Sequence, residues 1–326
     1  MKGQSVMGDV SAMSYGKIRR LSQCADDEGH FTMLAADQRG NLRRALRPDD
    51  PDSVPAADLI EFKTELSRSL SGYASAILLD PEYGAAQAIS AGAVSGATGL
   101  VVALEATGYE ASPHDRASTI LAGWSPAKAA ALGASAAKLL VYFHPDAPGA
   151  GSQVDLVAET AVECEKHDLP LIVEPLSFSL DERPLTSDQK GRVVAESARI
   201  LGGIPGVDML KLEFPARADD PEVWEQLCND ANTAAPVPWV LLSAGVDFET
   251  FALQAEVACR AGACGVLAGR AVWKESVGMP IDERRVFYDS IGRDRLTALG
   301  RLVASHARPW RVPDARPADI SATWYR

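Results

Sequence analysis

Lysines placed inside short apolar runs are the residues of this chain with the clearest chemical use. The stretch Asp208-Met209-Leu210-Lys211-Leu212-Glu213-Phe214-Pro215 alternates apolar and polar side chains. Lys211 and Glu213 therefore share one face of a predicted strand that Pro215 closes. Keeping an ammonium from water is costly, so burial favours the neutral amine. A neutral amine at a pocket mouth can attack a ketone and form a Schiff base. A structural role competes with this: Lys211 could pair with Glu213 or snorkel to the strand end. A second lysine, Lys138, sits in the apolar run 136–143, and Glu174 sits in the run 170–176. An ammonium beside Lys211 would further favour its neutral form, and a carboxylate facing an imine can serve as general acid and base. Lys138 reads equally well as the salt-bridge partner of Glu174 or Glu105.

Stepping from residues to elements, apolar runs and helix-rich segments alternate along the chain. The runs are 31–37, 75–80, 99–105, 136–143, 170–176, 208–214, 238–245 and 265–271. Eight short runs between helices predict an all-parallel α/β sheet, and that count matches a closed (β/α)8 barrel. An open doubly wound sheet is the alternative. It calls for a G-x-G-x-x-G turn after the first strand, where this chain has Asp37-Gln38-Arg39-Gly40-Asn41. The expected organisation is one barrel domain over residues 1–326. It has a short N-terminal helix over 17–24, a barrel core over about 31–306 and a helical, aromatic tail over 307–326 with Trp310 and Trp324. Ser125-Pro126 predicts a capped helix start, and Gly262 a helix end after 248–261.

Barrels place their chemistry at the C-terminal ends of the strands. Here those ends carry Asp37-Gln38-Arg39, Asp80-Pro81-Glu82, Glu105, Ser243-Ala244-Gly245 and Gly269-Arg270. Asp37 and Asp80 could instead cap the helices that follow. The last two strand ends are where barrels often build a phosphate site from backbone N–H groups, and Arg270 adds a bidentate cation.

Composition narrows the partners. The chain has 326 residues, is 47% hydrophobic and carries a net charge of −12, which argues against a nucleic-acid surface. No apolar run is long enough to span a membrane, and the first residues lack a signal-peptide pattern. Five cysteines without a C-x-x-C spacing argue against a disulfide or zinc framework and fit a reducing cytoplasm. The five histidines show no metal-binding spacing, and His144 alone lies near a strand end.

With these residues in place, the chain resembles the class I tagatose-1,6-bisphosphate aldolases and the related sulfofructosephosphate aldolases. The resemblance runs from Phe31 to Trp273. Its stretches include Ala36-Asp37-Gln38-Arg39-Gly40, Leu79-Asp80-Pro81-Glu82-Tyr83-Gly84, Val173-Glu174-Pro175, Leu210-Lys211-Leu212-Glu213, Leu242-Ser243-Ala244-Gly245-Val246 and Gly269-Arg270-Ala271-Val272-Trp273. The resemblance implies Lys211 as the Schiff-base lysine, Glu174 as the proton shuttle, and Lys138 as the group that holds substrate oxygens and keeps Glu174 ionised. It implies Asp37 and Gln38 on the sugar hydroxyls. Leu242, Ser243, Gly245, Gly269 and Arg270 would hold the C1 phosphate. Arg39 is the candidate for the far anion, or else a surface residue at a helix start. No metal or other cofactor is implied. The products would be dihydroxyacetone phosphate and an aldehyde: glyceraldehyde 3-phosphate from a tagatose or fructose bisphosphate, sulfolactaldehyde from a sulfofructose phosphate. The expected partner is a small phosphorylated ketose, in a homo-oligomer. Two other readings stay open: a carboxylate-driven phosphosugar isomerase, and a sugar-phosphate-binding protein without turnover.

Overall fold

Each of the eight runs forms a parallel strand in the structure, a computed structural model that describes residues 13–311 and 320–324. In chain order the strands are β1 (Phe31–Ala36), β2 (Ala76–Leu79), β3 (Gly99–Ala103), β4 (Ala136–Tyr142), β5 (Leu171–Leu176), β6 (Met209–Leu212), β7 (Trp239–Leu242) and β8 (Gly265–Ala268). They close in sequence order: Met33 pairs with Ala76 on one side of β1 and with Leu267 on the other. The doubly wound alternative is thereby excluded.

Several predicted runs overshoot their strands at the C-terminal end, and the reason bears on the site. The run 238–245 leaves the ladder after Leu242 because Ala244 and Gly245 adopt φ of 46° and 88°. Asp37, Asp80, Glu105 and Glu213 also lie just past their ladders, where side chains turn to polar partners. A hairpin, Glu110–Ser112 against Asp115–Ala117, follows β3 and was not signalled by apolar alternation, because both its strands face solvent at least in part.

Side-chain period splits the apolar residues into two cores. Outward residues of the strands pack against the helices, whereas Met33, Ala35, Leu78, Val101, Ala103, Ile172, Met209 and Val240 fill the barrel interior. The helices end as their residues dictate. The Ser125 hydroxyl accepts the Lys128 N–H ahead of Pro126, and Phe248–Ala261 stops at Gly262 with φ of 124°.

The N-terminal end of the barrel is plugged. Leu21 and Cys24, at the end of helix Tyr15–Ser22, join the interior core together with Trp310 of the tail. The Trp310 ring lies 6.3 Å from Phe31 at the start of β1. Lys17 is buried there against Asp208 at 2.8 Å and Glu165. Contact between β1 and β8 requires glycine at 265: a Cβ there would lie 1.9 Å from the Phe31 carbonyl oxygen. Of the expected tail, residues 312–319 and 325–326 lie outside the described residues. Trp324 is exposed, with its ring edge-on to Tyr15 at 5.3 Å.

Candidate active site

The open, C-terminal end of the barrel gathers the lysines and carboxylates. β4 and β5 pair so that Lys138 opposes Ile172 and Leu140 opposes Glu174, which puts Lys138 and Glu174 on adjacent inward positions. β6 brings Lys211 beside them. Glu174 bridges the two lysines: Oε1 is 2.7 Å from Lys211 Nζ and Oε2 is 3.0 Å from Lys138 Nζ. Lys138 Nζ also contacts Asp37 Oδ2 at 2.7 Å and Glu105 Oε1 at 2.6 Å. Three carboxylates thus face two ammonium groups, all of them buried.

This arrangement separates the lysines by role. Lys138 is fully enclosed, and burial alone would strip its proton. The charges of Asp37, Glu105 and Glu174 outweigh burial and hold its proton well above the ordinary lysine range. Asp37 shows the reciprocal effect: burial pushes its carboxyl up, and the Lys138 and Lys211 charges bring it below the ordinary aspartate value. Lys138 is therefore a fixed cation. Among the described residues Lys211 pairs with one carboxylate, Glu174, and it lines open cavity space. The structural alternative of a Lys211–Glu213 pair is not what forms. Glu213 Oε2 instead accepts the Ser177 N–H at 2.6 Å.

Two chambers meet at Lys211. The inner one, about 180 Å³, is lined by Gln38, Leu242, Ser243, Gly245, Gly269 and Arg270. Ser243 Oγ accepts the Gly269 N–H at 3.1 Å, which leaves the hydroxyl hydrogen to donate elsewhere. The Arg270 guanidinium lies over Gly245, where a Cβ would be 2.9 Å from its Cζ. The outer chamber, about 200 Å³, is lined by Asp37, Asn41, Arg44, Thr107, Tyr142 and Glu174, among others. Among the described residues, three buried acceptors there have no hydrogen-bond partner: Asp37 Oδ1, Gln38 Oε1 and Glu174 Oε2, the last of which still lies 3.0 Å from the Lys138 ammonium. Unpaired buried acceptors beside a cavity suit ligand hydroxyl groups.

The structure brings every expected site residue to this mouth, but Arg39 is already committed. Its guanidinium donates to Glu82 Oε2 at 2.7 Å and to the Glu105 carbonyl at 2.6 Å. Asp80 is structural: Oδ2 accepts the N–H groups of Glu82 and Tyr83, and Oδ1 pairs with buried Lys63. His144 is buried and accepts the Asp146 N–H on Nδ1 at 3.2 Å. It lines a separate cavity of about 320 Å³ that contains none of the expected site residues. All five cysteines are buried free thiols, and burial pushes them up to about 12.

Sequence reading missed Arg44, whose polar helical setting gave no signal. It also missed the cluster in which the Arg116 guanidinium lies 4.7 Å from the Tyr109 ring and 5.4 Å from the Tyr142 ring. That cluster fixes the hairpin against the outer chamber.

A buried lysine–carboxylate pair at the catalytic face of a closed parallel barrel defines the class: a barrel enzyme acting on a small molecule. The chain belongs to the DeoC/LacD family aldolases, whose family model matches residues 31–275, and it is accordingly a lyase. It is 32% identical to tagatose 1,6-diphosphate aldolase 2 of Enterococcus faecalis, across 92% of this chain and 97% of the relative. It is 31% identical to tagatose 1,6-diphosphate aldolase 1 of Streptococcus pyogenes serotype M3, across 90% and 97%. Among solved structures, a Schiff base forming fructose-1,6-bisphosphate aldolase superposes with a TM-score of 0.58 at 20% identity, over 88% of this chain and 99% of that one. Fructose-bisphosphate aldolase from Plasmodium falciparum gives 0.68 at 12% identity, over 91% and 97%. These two share the fold.

Proposed function

We propose that this aldolase is a class I enzyme that cleaves tagatose 1,6-bisphosphate or its C4 epimer fructose 1,6-bisphosphate through an imine on Lys211. The observation that carries the reading is the placement of Glu174 between a fully enclosed Lys138 and a cavity-lining Lys211. The names of the curated relatives support the sugar.

In the cleavage direction the Lys211 amine adds to the C2 carbonyl, and the carbinolamine loses water to give a protonated imine. Glu174 takes the C4 hydroxyl proton. The C3–C4 bond breaks, its electrons enter the imine to form an enamine, and glyceraldehyde 3-phosphate leaves. A proton returned to C3 and hydrolysis then release dihydroxyacetone phosphate and restore Lys211. Lys138, 3.0 Å from Glu174 Oε2, holds that carboxyl group in place for the first transfer. Asp37 and Gln38 accept from sugar hydroxyls with the oxygens left unpaired in the protein. Ser243, Gly245, Gly269 and Arg270, with Leu242 beside them, receive the C1 phosphate. The imine takes the electron-withdrawing role that a metal would otherwise fill, so no cofactor enters.

The test is borohydride reduction in the presence of dihydroxyacetone phosphate, followed by peptide mapping. The expected adduct is on Lys211 and is absent from Lys211→Met. An adduct on Lys138 would reverse the lysine roles, and binding without any adduct would sink the covalent mechanism.

A further inference from the structure

We infer that the anion at the far end of the substrate is held by Arg44 with Asn41, and that Arg39 is a positioning residue for Glu105. The inference rests on the reading of Lys211 as the residue that takes the ketose, which sets one phosphate in the inner chamber and points the other end into the outer one.

Two arginines line the outer chamber away from the inner anion site, and their surroundings differ. Arg39 is 6% exposed. One arm of its guanidinium is 2.7 Å from Glu82 Oε2, and the other donates to the Glu105 carbonyl at 2.6 Å while lying 3.9 Å from Glu105 Oε1. The Glu82 and Asp80 charges further stabilise that cation in place. A guanidinium so engaged would have to give up both of these partners to reach a ligand. Its partner Glu105 contacts Lys138 at 2.6 Å and accepts the Leu140 N–H at 3.0 Å. Arg39 therefore acts through Glu105 on the placement of Lys138.

Arg44 is exposed on the rim of the same chamber. Among the described residues no carboxylate pairs with it. Its hydrogen bond is Nη2 to Asn41 Oδ1 at 2.6 Å, which orients the guanidinium and leaves the Asn41 amide N–H groups to donate. Gly40 lets this corner close: a Cβ there would lie 3.1 Å from Thr107 Cγ2 and 3.6 Å from Arg44 Nη1. The corner so formed offers a guanidinium and a carboxamide to one incoming group. Planar forked donors of this kind match a tetrahedral oxyanion, phosphate or sulfonate. In a chain of net charge −12, a cation without a carboxylate partner at the mouth also favours an anionic ligand end.

The experiment uses non-cleavable hexitols and calorimetry on the full chain. In the wild-type protein, hexitol 1,6-bisphosphate is expected to bind roughly tenfold or more tighter than hexitol 1-phosphate, the scale of hydrogen bonds to a charged group. In Arg44→Met that ratio falls to about one. In Arg39→Met the ratio persists while both ligands weaken together. A ratio near one in the wild type, or a ratio that survives Arg44→Met and collapses in Arg39→Met, overturns the inference. If Arg39→Met does not fold, the Arg44→Met ratio alone decides. Replacing the 6-phosphate by a 6-sulfonate distinguishes the two anions by which hexitol binds tighter. Failure of the underlying reading shows separately, as loss of the borohydride adduct on Lys211 in the unaltered protein.

Discussion

Glu174 is the residue on which the proposed chemistry turns. Its two oxygens touch different lysines, so a neutral amide in its place keeps the shape and loses both the proposed base and the charge link. Glu174→Gln is expected to lower kcat by about 10²–10⁴, the usual share of a general acid–base. The bisphosphate KM should move far less, because the anion sites lie elsewhere. Steady-state kinetics check this, and a kcat within a few-fold of wild type would remove Glu174 from the proton path. The sequence placed Lys211, Glu174 and Lys138 on strands from their neighbours alone. It left open whether Lys138 paired with Glu174 or Glu105, and the fold answers that it contacts both, together with Asp37. The partners of Arg39 show the opposite case. A local reading sees an arginine after a strand, whereas Glu82 and Glu105, which occupy it, come from two other strand ends.

Elements set the inner chamber through backbone conformation as much as through side chains. The β7 strand ends in a turn where Ala244 and Gly245 both have positive φ, and Gly245 lies under the Arg270 guanidinium. Gly245→Ala adds a methyl group where φ is 88° and displaces that guanidinium. The left-handed backbone should cost about 1–2 kcal/mol of stability. The displaced cation should raise KM for a 1-phosphate ligand about tenfold. Thermal melts and kinetics read the two effects apart, and an unaltered KM would mean that Arg270 does not hold the C1 phosphate. Apolar runs and flanking turn residues made the eight strands legible, since a strand buried on both faces needs a short continuous apolar stretch. The hairpin after β3 was not legible, because its partly exposed residues carry no such constraint and Arg116 holds it by stacking on Tyr109 and Tyr142.

At the scale of the whole molecule, the two ends of the barrel do different work. The N-terminal end is a plug of Leu21, Cys24 and Trp310, remote from Lys211. Trp310→Ala is therefore expected to cost about 3–5 kcal/mol, as buried tryptophan truncations do, with kcat held near wild type. Denaturant unfolding and an aldolase assay check this together, and a loss of activity in the folded variant would contradict the division. Trp310 packs within the chain, against the ring of Phe31. What the sequence determined by itself is the barrel and the residues at its mouth. Strand burial and the tendency of barrels to place function at strand ends are both written in local pattern. Only the tertiary structure decided which charge meets which. Ion pairs at the mouth join residues 33 positions apart (Lys138–Glu105) to 101 positions apart (Lys138–Asp37), and the curl of the sheet into a barrel brings those strand ends within reach of one another.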